Sequence, residues 1–306
     1  MNRRDFLKKT CIVGVGMSLP GTFDAFVESL YAAEYADIGV ARAANPKETT
    51  SGAVTKAAID AIGGIGRFIS KGDIVVVKPN IGWDGTPELA SNTNPEVVGS
   101  VVRLCYDAGA KTVKIFDNPC VDPRRSYKQS GIADAASAAG GEVSFMDERK
   151  FKDVAIGGPF LKKWPIYTDV LEADKVINIP IAKVHGSSTL TLGMKNWMGI
   201  MGGWRGRVHQ NLHQGIVDIA QFMKPALIVL DAIRILTAHG PQGGNPRYVT
   251  AMNTVIAGTD QVAVDAYGAE LLFRLKGSTI RHIRIGHETG LGTMDLSQLA
   301  IREIAV

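Results

Sequence analysis

Lysine and histidine carry most of the chemistry that this sequence offers. Four short apolar runs each end at a charged residue. Val75-Val76-Val77 runs into Lys78-Pro79-Asn80, and Val113–Phe116 into Asp117. Val176–Ile181 leads to Lys183 and His185, and Leu227–Leu230 ends at Asp231. A strand leaving a core meets polar residues as a matter of course. A set of four such exits, with Lys twice and Asp twice, points further. In open α/β sheets ligands bind beyond the carboxyl ends of the strands, so these side chains are expected along one sheet edge. Lys78, Lys183 and Lys195, with Asn80 and Asn196, are candidates to hold a small carboxylate or phosphate. His185 and His209 are candidates for acid–base work or metal ligation, since imidazole does either near neutral pH. Asp117 joins them as a catalytic candidate, and Asp231 as a metal ligand.

His209 and His213 stand four residues apart. On one helix face both rings would project together, as a metal pair requires. With His185 and Asp231 they make a candidate site for a divalent metal. No Glu follows His209, so this is not the zinc-protease HExxH pattern. Lys183 and Lys195 nearby would repel a cation, and anion binding by the lysines therefore ranks above direct metal ligation. Gly202-Gly203-Trp204-Arg205-Gly206-Arg207 places glycines beside cations, which lets backbone and charge approach an anion together. It lacks both the GxGxxG fingerprint and the GKS/T ending of a phosphate loop.

The elements that must position these residues follow from the same patterns. Ile74–Val77 is a β-branched run and reads as a buried strand. Asn94 and Pro95 open a helix as N-cap and first helical residue, and Ala108-Gly109 closes it. Strands are expected at Thr112–Phe116, Glu142–Phe145, Lys175–Ile181, Ala226–Leu230 and Asn253–Ala257, with helices near Gly131–Ala139 and from Asp260 to Arg274. Strands alternating with helices predict an α/β fold, a mostly parallel sheet with helices on both faces. At roughly 150 residues per domain, a chain of 306 residues suits two α/β sub-lobes, 34–150 and 151–306, the second carrying the Lys/His cluster.

Composition narrows the class. Hydrophobic residues are 45% and charged residues 21%, which suits a globular chain and excludes a disordered one. No run approaches the roughly 18 uncharged apolar residues of a spanning helix, so no integral membrane segment is expected in the mature chain. A net charge of +4 suits a small anionic ligand and is too weak to argue for nucleic acid. The three cysteines are Cys11, Cys105 and Cys120, too few for an iron–sulfur cluster held by this chain alone. A Cys105–Cys120 disulfide is available in an oxidising compartment. Residues 2–8, Asn-Arg-Arg-Asp-Phe-Leu-Lys, precede a Gly-rich, weakly apolar run from Ile12 to Phe23. This resembles a twin-arginine export signal over residues 1–33 and predicts a periplasmic or otherwise exported protein. The alternative is the basic start of an ordinary amphipathic helix.

An ordered series of short motifs carries a wider resemblance. Val77-Lys78-Pro79-Asn80, Pro95-Glu96-Val97-Val98, Asp107-Ala108-Gly109-Ala110, Lys183-Val184-His185-Gly186 and Leu192-Gly193-Met194-Lys195-Asn196 come first. His209, Asp218, Leu230-Asp231, Gly240-Pro241 with Gly243-Gly244, and Asp260–Ala266 follow. From about Asp37 to Gly292 the chain resembles the domain-of-unknown-function family 362. Some members carry an appended ferredoxin-type module, which implies redox work. This chain lacks those cysteines, so the resemblance implies another cofactor or an iron–sulfur partner protein for any such role. A more distant likeness is to the nickel-dependent lactate racemase type, also built of α/β lobes with Lys and His at the cleft. The expected function is an exported enzyme acting on a small anionic substrate, of unknown cofactor and with a divalent metal as one option. The alternative is a non-catalytic periplasmic protein that holds a metal or cofactor for a redox partner.

Overall fold

The computed structural model describes residues 35–306. The segment read as an export signal, 1–33, lies outside them. Strand β1 is Ile38–Arg42. Helix α1 (Ser51–Ala61) starts at Thr50, whose hydroxyl accepts the Ala53 N–H. After β2 (Ile74–Pro79) comes α2 (Pro95–Asp107), where the Asn94 side chain accepts from Glu96 N and Pro95 takes the first turn, as expected. Strand β3 (Thr112–Ile115) leads to two short helices, α3 (Pro123–Gln129) and α4 (Ile132–Ala138). Strand β4 is only Glu142–Val143. A separate antiparallel hairpin, β5 (Phe151–Ala155) with β6 (Lys163–Tyr167), and one turn of helix, α5 (Thr168–Leu171), come next.

The stretch expected as one strand over Lys175–Ile181 is two: β7 (Lys175–Ile179) and β8 (Ile181–His185). Pro180 separates them. It has no N–H to give to a ladder, and after it the chain leaves β2 and pairs with β9 (Thr189–Thr191). The short helix α6 (Gly193–Asn196) is followed by α7 (Leu212–Phe222). Strand β10 (Leu227–Leu236) runs well past the expected end at Leu230, with an irregularity between Ala232 and Arg234. Strand β11 is Val249–Gly258, and α8 (Gln261–Phe273) is capped by the Asp260 carboxylate at Val262 N and Ala263 N. Helix α9 (Arg281–Glu288) and strand β12 (Ile301–Ala305) complete the chain.

The main sheet has the order β12-β1-β11-β10-β7-β2-β3-β4, with β8 on β10 and β9 on β8. Strands from both sides of residue 150 interleave in it. Parallel pairings predominate, and the antiparallel ones are confined to β1–β11, β10–β11 and β8–β9. β12 and β1, from opposite ends of the described chain, run side by side.

Strand side chains alternate between the two faces, and both faces are apolar here. Val75 and Val77 pack with Ile115, Ile177 and Val229 under α1 and α2, where Val54, Ile59, Val97 and Val101 meet them. Val76 and Phe116 point the other way, with Ile228, Leu230 and Ile256, into Leu212, Ile216, Val262 and Ile283 of α7, α8 and α9. Helices therefore cover both faces, as the alternation of strand and helix predicted.

Candidate functional site

At the carboxyl ends of β2, β3, β7 and β8 lies a cleft of about 540 Å³. Asn80, Asp117, Cys120, Lys183, His185, Lys195, Asn196, Arg205 and His209 are among the residues that line it. Beneath it, Lys78 and Asn178 are neighbours in the β2–β7 register. Parallel pairing puts these strand ends on the same edge.

The floor is a continuous polar network. Lys78 is fully buried, and its Nζ lies 2.7 Å from Asp117 Oδ1. It also donates to the Pro79 carbonyl and to Asn196 Oδ1. Asn196 accepts from Asn80 Nδ2 at 3.0 Å and donates to Asn178 Oδ1 at 2.8 Å. Asn80 Oδ1 in turn accepts from Lys183 Nζ at 3.0 Å, and the Ser91 carbonyl takes a second bond from that ammonium. Lys183 is only 1% exposed. The network joins four strand ends and α6, so each amide side chain fixes two neighbours.

Asp117 is a catalytic candidate by sequence, and its carboxylate is engaged by three donors. Oδ2 accepts from Ile81 N at 2.6 Å, and Oδ1 accepts from Asn118 N and from Lys78. Its backbone bonds the Tyr127 hydroxyl. Asp117 is an anchor for Lys78 and for the loop after β3, not a free base. Gly199 presses on the same pair: a Cβ there would collide with Asp117 Oδ1 and Lys78 Nζ.

Lys195 is different from its two neighbours. It sits on α6, which the buried Asp265 carboxylate holds through Gly193 N at 2.6 Å and Met194 N at 3.0 Å. Its own Nζ has no protein acceptor among the described residues, and it lines the cleft. Burial pulls its pKa down to about 8, with Arg205 and Lys78 pushing the same way and Cys120 opposing. Burial also brings Lys183 down to about 7, although Cys120 and Asp117 pull it back. At Lys78 burial outweighs the opposing attraction of Asp117 and depresses the ammonium pKa.

His185 has its tautomer set by its own turn. Its Nδ1 accepts from Ser187 N at 3.1 Å and Ser188 N at 3.3 Å. The proton of the neutral ring therefore sits on Nε2. Burial first, then Lys195, Lys183 and His209, depress its pKa to about 3. Near neutral pH this residue is an uncharged N–H donor.

The metal candidates do not converge. His209 lies in a 3₁₀ stretch, Arg205–Asn211, at the cleft mouth, while His213 is on α7. The helix expected to carry both begins only at Leu212, so their spacing does not place them on one helical face. His213 instead stacks on His282 of α9, with ring centroids 5.7 Å apart. Asp231 is buried inside β10 and accepts from Asn94 N at 2.7 Å and Ile233 N at 2.9 Å, away from the cleft. Burial raises its pKa to about 6. His185 offers no lone pair at Nε2, and Lys183, Lys195 and Arg205 outnumber the one cleft carboxylate, Asp117, which is paired with Lys78. This donor set does not suit a divalent metal. No group of three or more His, Cys, Asp or Glu side chains among the described residues is arranged to hold one.

The two cysteines of the described chain do not pair. Cys105 is buried in α2, and burial pushes its thiol up to about 12. Cys120 is exposed on the cleft loop. That loop is tied down by Arg205, which donates to the carbonyls of Asn118 and Pro119 and to that of Met198. Trp204 beside it is 72% exposed at the rim.

Asn178 and Cys120 did not stand out as site residues in the sequence. Asn178 had a readable signal, a fully buried amide in an otherwise apolar run. Cys120 had none, since a lone thiol says nothing of the lysines that a fold brings beside it.

Residues 75–270 match the family described as Domain of unknown function (DUF362). The chain belongs to this family. A thylakoid-associated protein of Synechocystis sp. is 28% identical over 242 residues, covering 76% of this chain and 73% of the relative. Among solved structures, the lactate racemase apoprotein of Thermoanaerobacterium thermosaccharolyticum is similar at 12% identity with a TM-score of 0.44. That match covers 84% of this chain and 59% of the racemase chain, so this DUF362 protein spans about three fifths of its length. No helix among the described residues is long and apolar enough to cross a membrane.

Proposed function

We propose that this DUF362 protein is an exported enzyme that binds a small carboxylate or phosphate in the Lys183–Lys195 cleft. The observation that carries this reading is the Lys195 ammonium, which faces the cleft with no protein acceptor while Lys78 and Lys183 are already bonded. A partly buried cation without a partner is costly, and a bound anion supplies the missing acceptor. His185 Nε2–H would add a neutral donor, suited to polarising a carbonyl or phosphoryl oxygen. His209 stands exposed at the mouth, in contact with solvent. Asp117, Asn80, Asn178 and Asn196 would hold the lysines in place. Export rests on the paired arginines Arg3-Arg4, and a relative named for association with thylakoids supports a destination tied to membranes.

Calorimetric titration with inorganic phosphate and with pyruvate tests the cleft. A charge-assisted hydrogen bond is worth about 1.5–3 kcal/mol. Lys195→Ala is therefore expected to weaken binding by roughly ten- to a hundredfold, with metal content unchanged. Equal affinity in wild type and variant would remove the basis of the proposal.

A further inference from the structure

Three lysines meet at this cleft, and the structure gives them three different situations. Lys78 is locked in an ion pair with Asp117 and is fully buried. Lys183 borders the cleft with 1% of its surface exposed, and its ammonium is already bonded to Asn80 and Ser91. Of the three, only Lys195 presents an Nζ to the open volume with no acceptor among the described residues. Its helix is anchored at the backbone by Asp265, which accepts from Gly193 N and Met194 N. His185 lines the same space with its Nε2–H unengaged by the protein. Met198, Gly199 and Trp204 leave an uncharged side for the rest of a small ligand.

We propose that Lys195 is a covalent nucleophile, forming an imine with the carbonyl of a small 2-oxo acid whose carboxylate is held beside Lys183 and His185. This rests on the anion-binding reading of the same cleft and names its substrate class. The neutral amine adds to the carbonyl carbon. The carbonyl oxygen then takes both amine protons and leaves as water, and a C=N bond replaces the C=O bond. No oxidant or reductant is consumed. His185 Nε2–H stabilises the oxygen as negative charge gathers on it. Burial, with Arg205 and Lys78 adding to it, opposes protonation of the resident amine, which is how buried amines become nucleophiles. A lysine with a pKa of about 8 is neutral in roughly a tenth of molecules at pH 7, against about one in a few thousand for an unperturbed lysine. A 2-oxo acid fits better than a phosphate ester here. It supplies both an anion for the cationic wall and an electrophile for the one unbonded amine.

The test is trapping. The full chain is incubated with pyruvate and sodium borohydride at pH 8, and labelled sites are mapped by peptide mass spectrometry. The expected result is one reduced pyruvate on Lys195, suppressed by excess inorganic phosphate. Lys195→Arg is expected to lose the adduct, because the charge stays and the nucleophile goes. If pyruvate and phosphate bind but Lys195 is labelled no more than the exposed Lys224, the imine is refuted and the anion cleft stands. If neither ligand binds, both readings fall together.

Discussion

At the scale of single residues, the cleft floor depends on groups that cannot be changed one at a time. Lys78 and Asp117 are both buried and compensate each other. Replacing Lys78 by Met leaves an unpaired carboxylate in the core, a change that costs about 3–5 kcal/mol in comparable buried pairs. Urea denaturation of Lys78→Met is expected to show a loss of that size. A midpoint close to wild type would mean that the pair is not a floor at all. Gly199→Ala is a smaller test of the same place. The added methyl meets Asp117 and Lys78, which are held from every side and have nowhere to move. Phosphate binding in calorimetry is expected to fall, because Lys195 and His185 sit on the structure that this contact supports. Retention of full affinity would show that the floor yields.

At the scale of elements, the packing of α7 against α9 contains an unresolved polarity. His282 is fully buried, and among the described residues neither of its ring nitrogens has a hydrogen-bond partner; the same holds for His213 Nδ1. Burial, with His213, Lys195 and His185 adding to it, depresses the His282 pKa to about 3. The unfolded chain binds a proton at this residue below about 6.5, and the folded chain does not until far lower. Folding stability is therefore lost as pH falls from about 6.5 toward 3, by up to about 1.4 kcal/mol per pH unit for the one proton. His282→Phe removes both orphan nitrogens and the titration. At pH 8 its melting temperature is expected to be at least that of wild type, and its decline between pH 6.5 and 4 shallower. Parallel decline of the two proteins would assign the acid sensitivity elsewhere, for example to His185.

At the scale of the whole molecule, the export reading has its own test. Arg3→Lys with Arg4→Lys keeps the charge but removes the paired arginines. Cell fractionation is expected to find the double variant in the cytoplasm and the wild type outside it. Export of both to the same level would overturn that reading, without touching the cleft. The sequence by itself determined the fold class and most of the elements. Runs such as Val75–Val77 and caps such as Asn94-Pro95 and Asp260 are local signals, and period and capping act within a few residues of themselves. It also pointed to Lys78, Asp117, Lys183, His185 and Asp231 at one edge, because parallel strands align their ends; of these Asp231 does not line the cleft, and Lys195 enters it from α6. Only the tertiary structure decided which of them are available for chemistry. Asp117 and Asp231 read alike, as carboxylates after apolar runs, yet one anchors the cleft floor and the other is enclosed in β10 beside the start of α2. His213 read as a partner for His209 and became one for His282. Lys78 and Lys195 are the same residue type, yet the first is buried against Asp117 and the second lines the cleft. Whether a buried charge is paired depends on residues over a hundred positions away, such as Asn196 beside Lys78, and no local pattern encodes that distance.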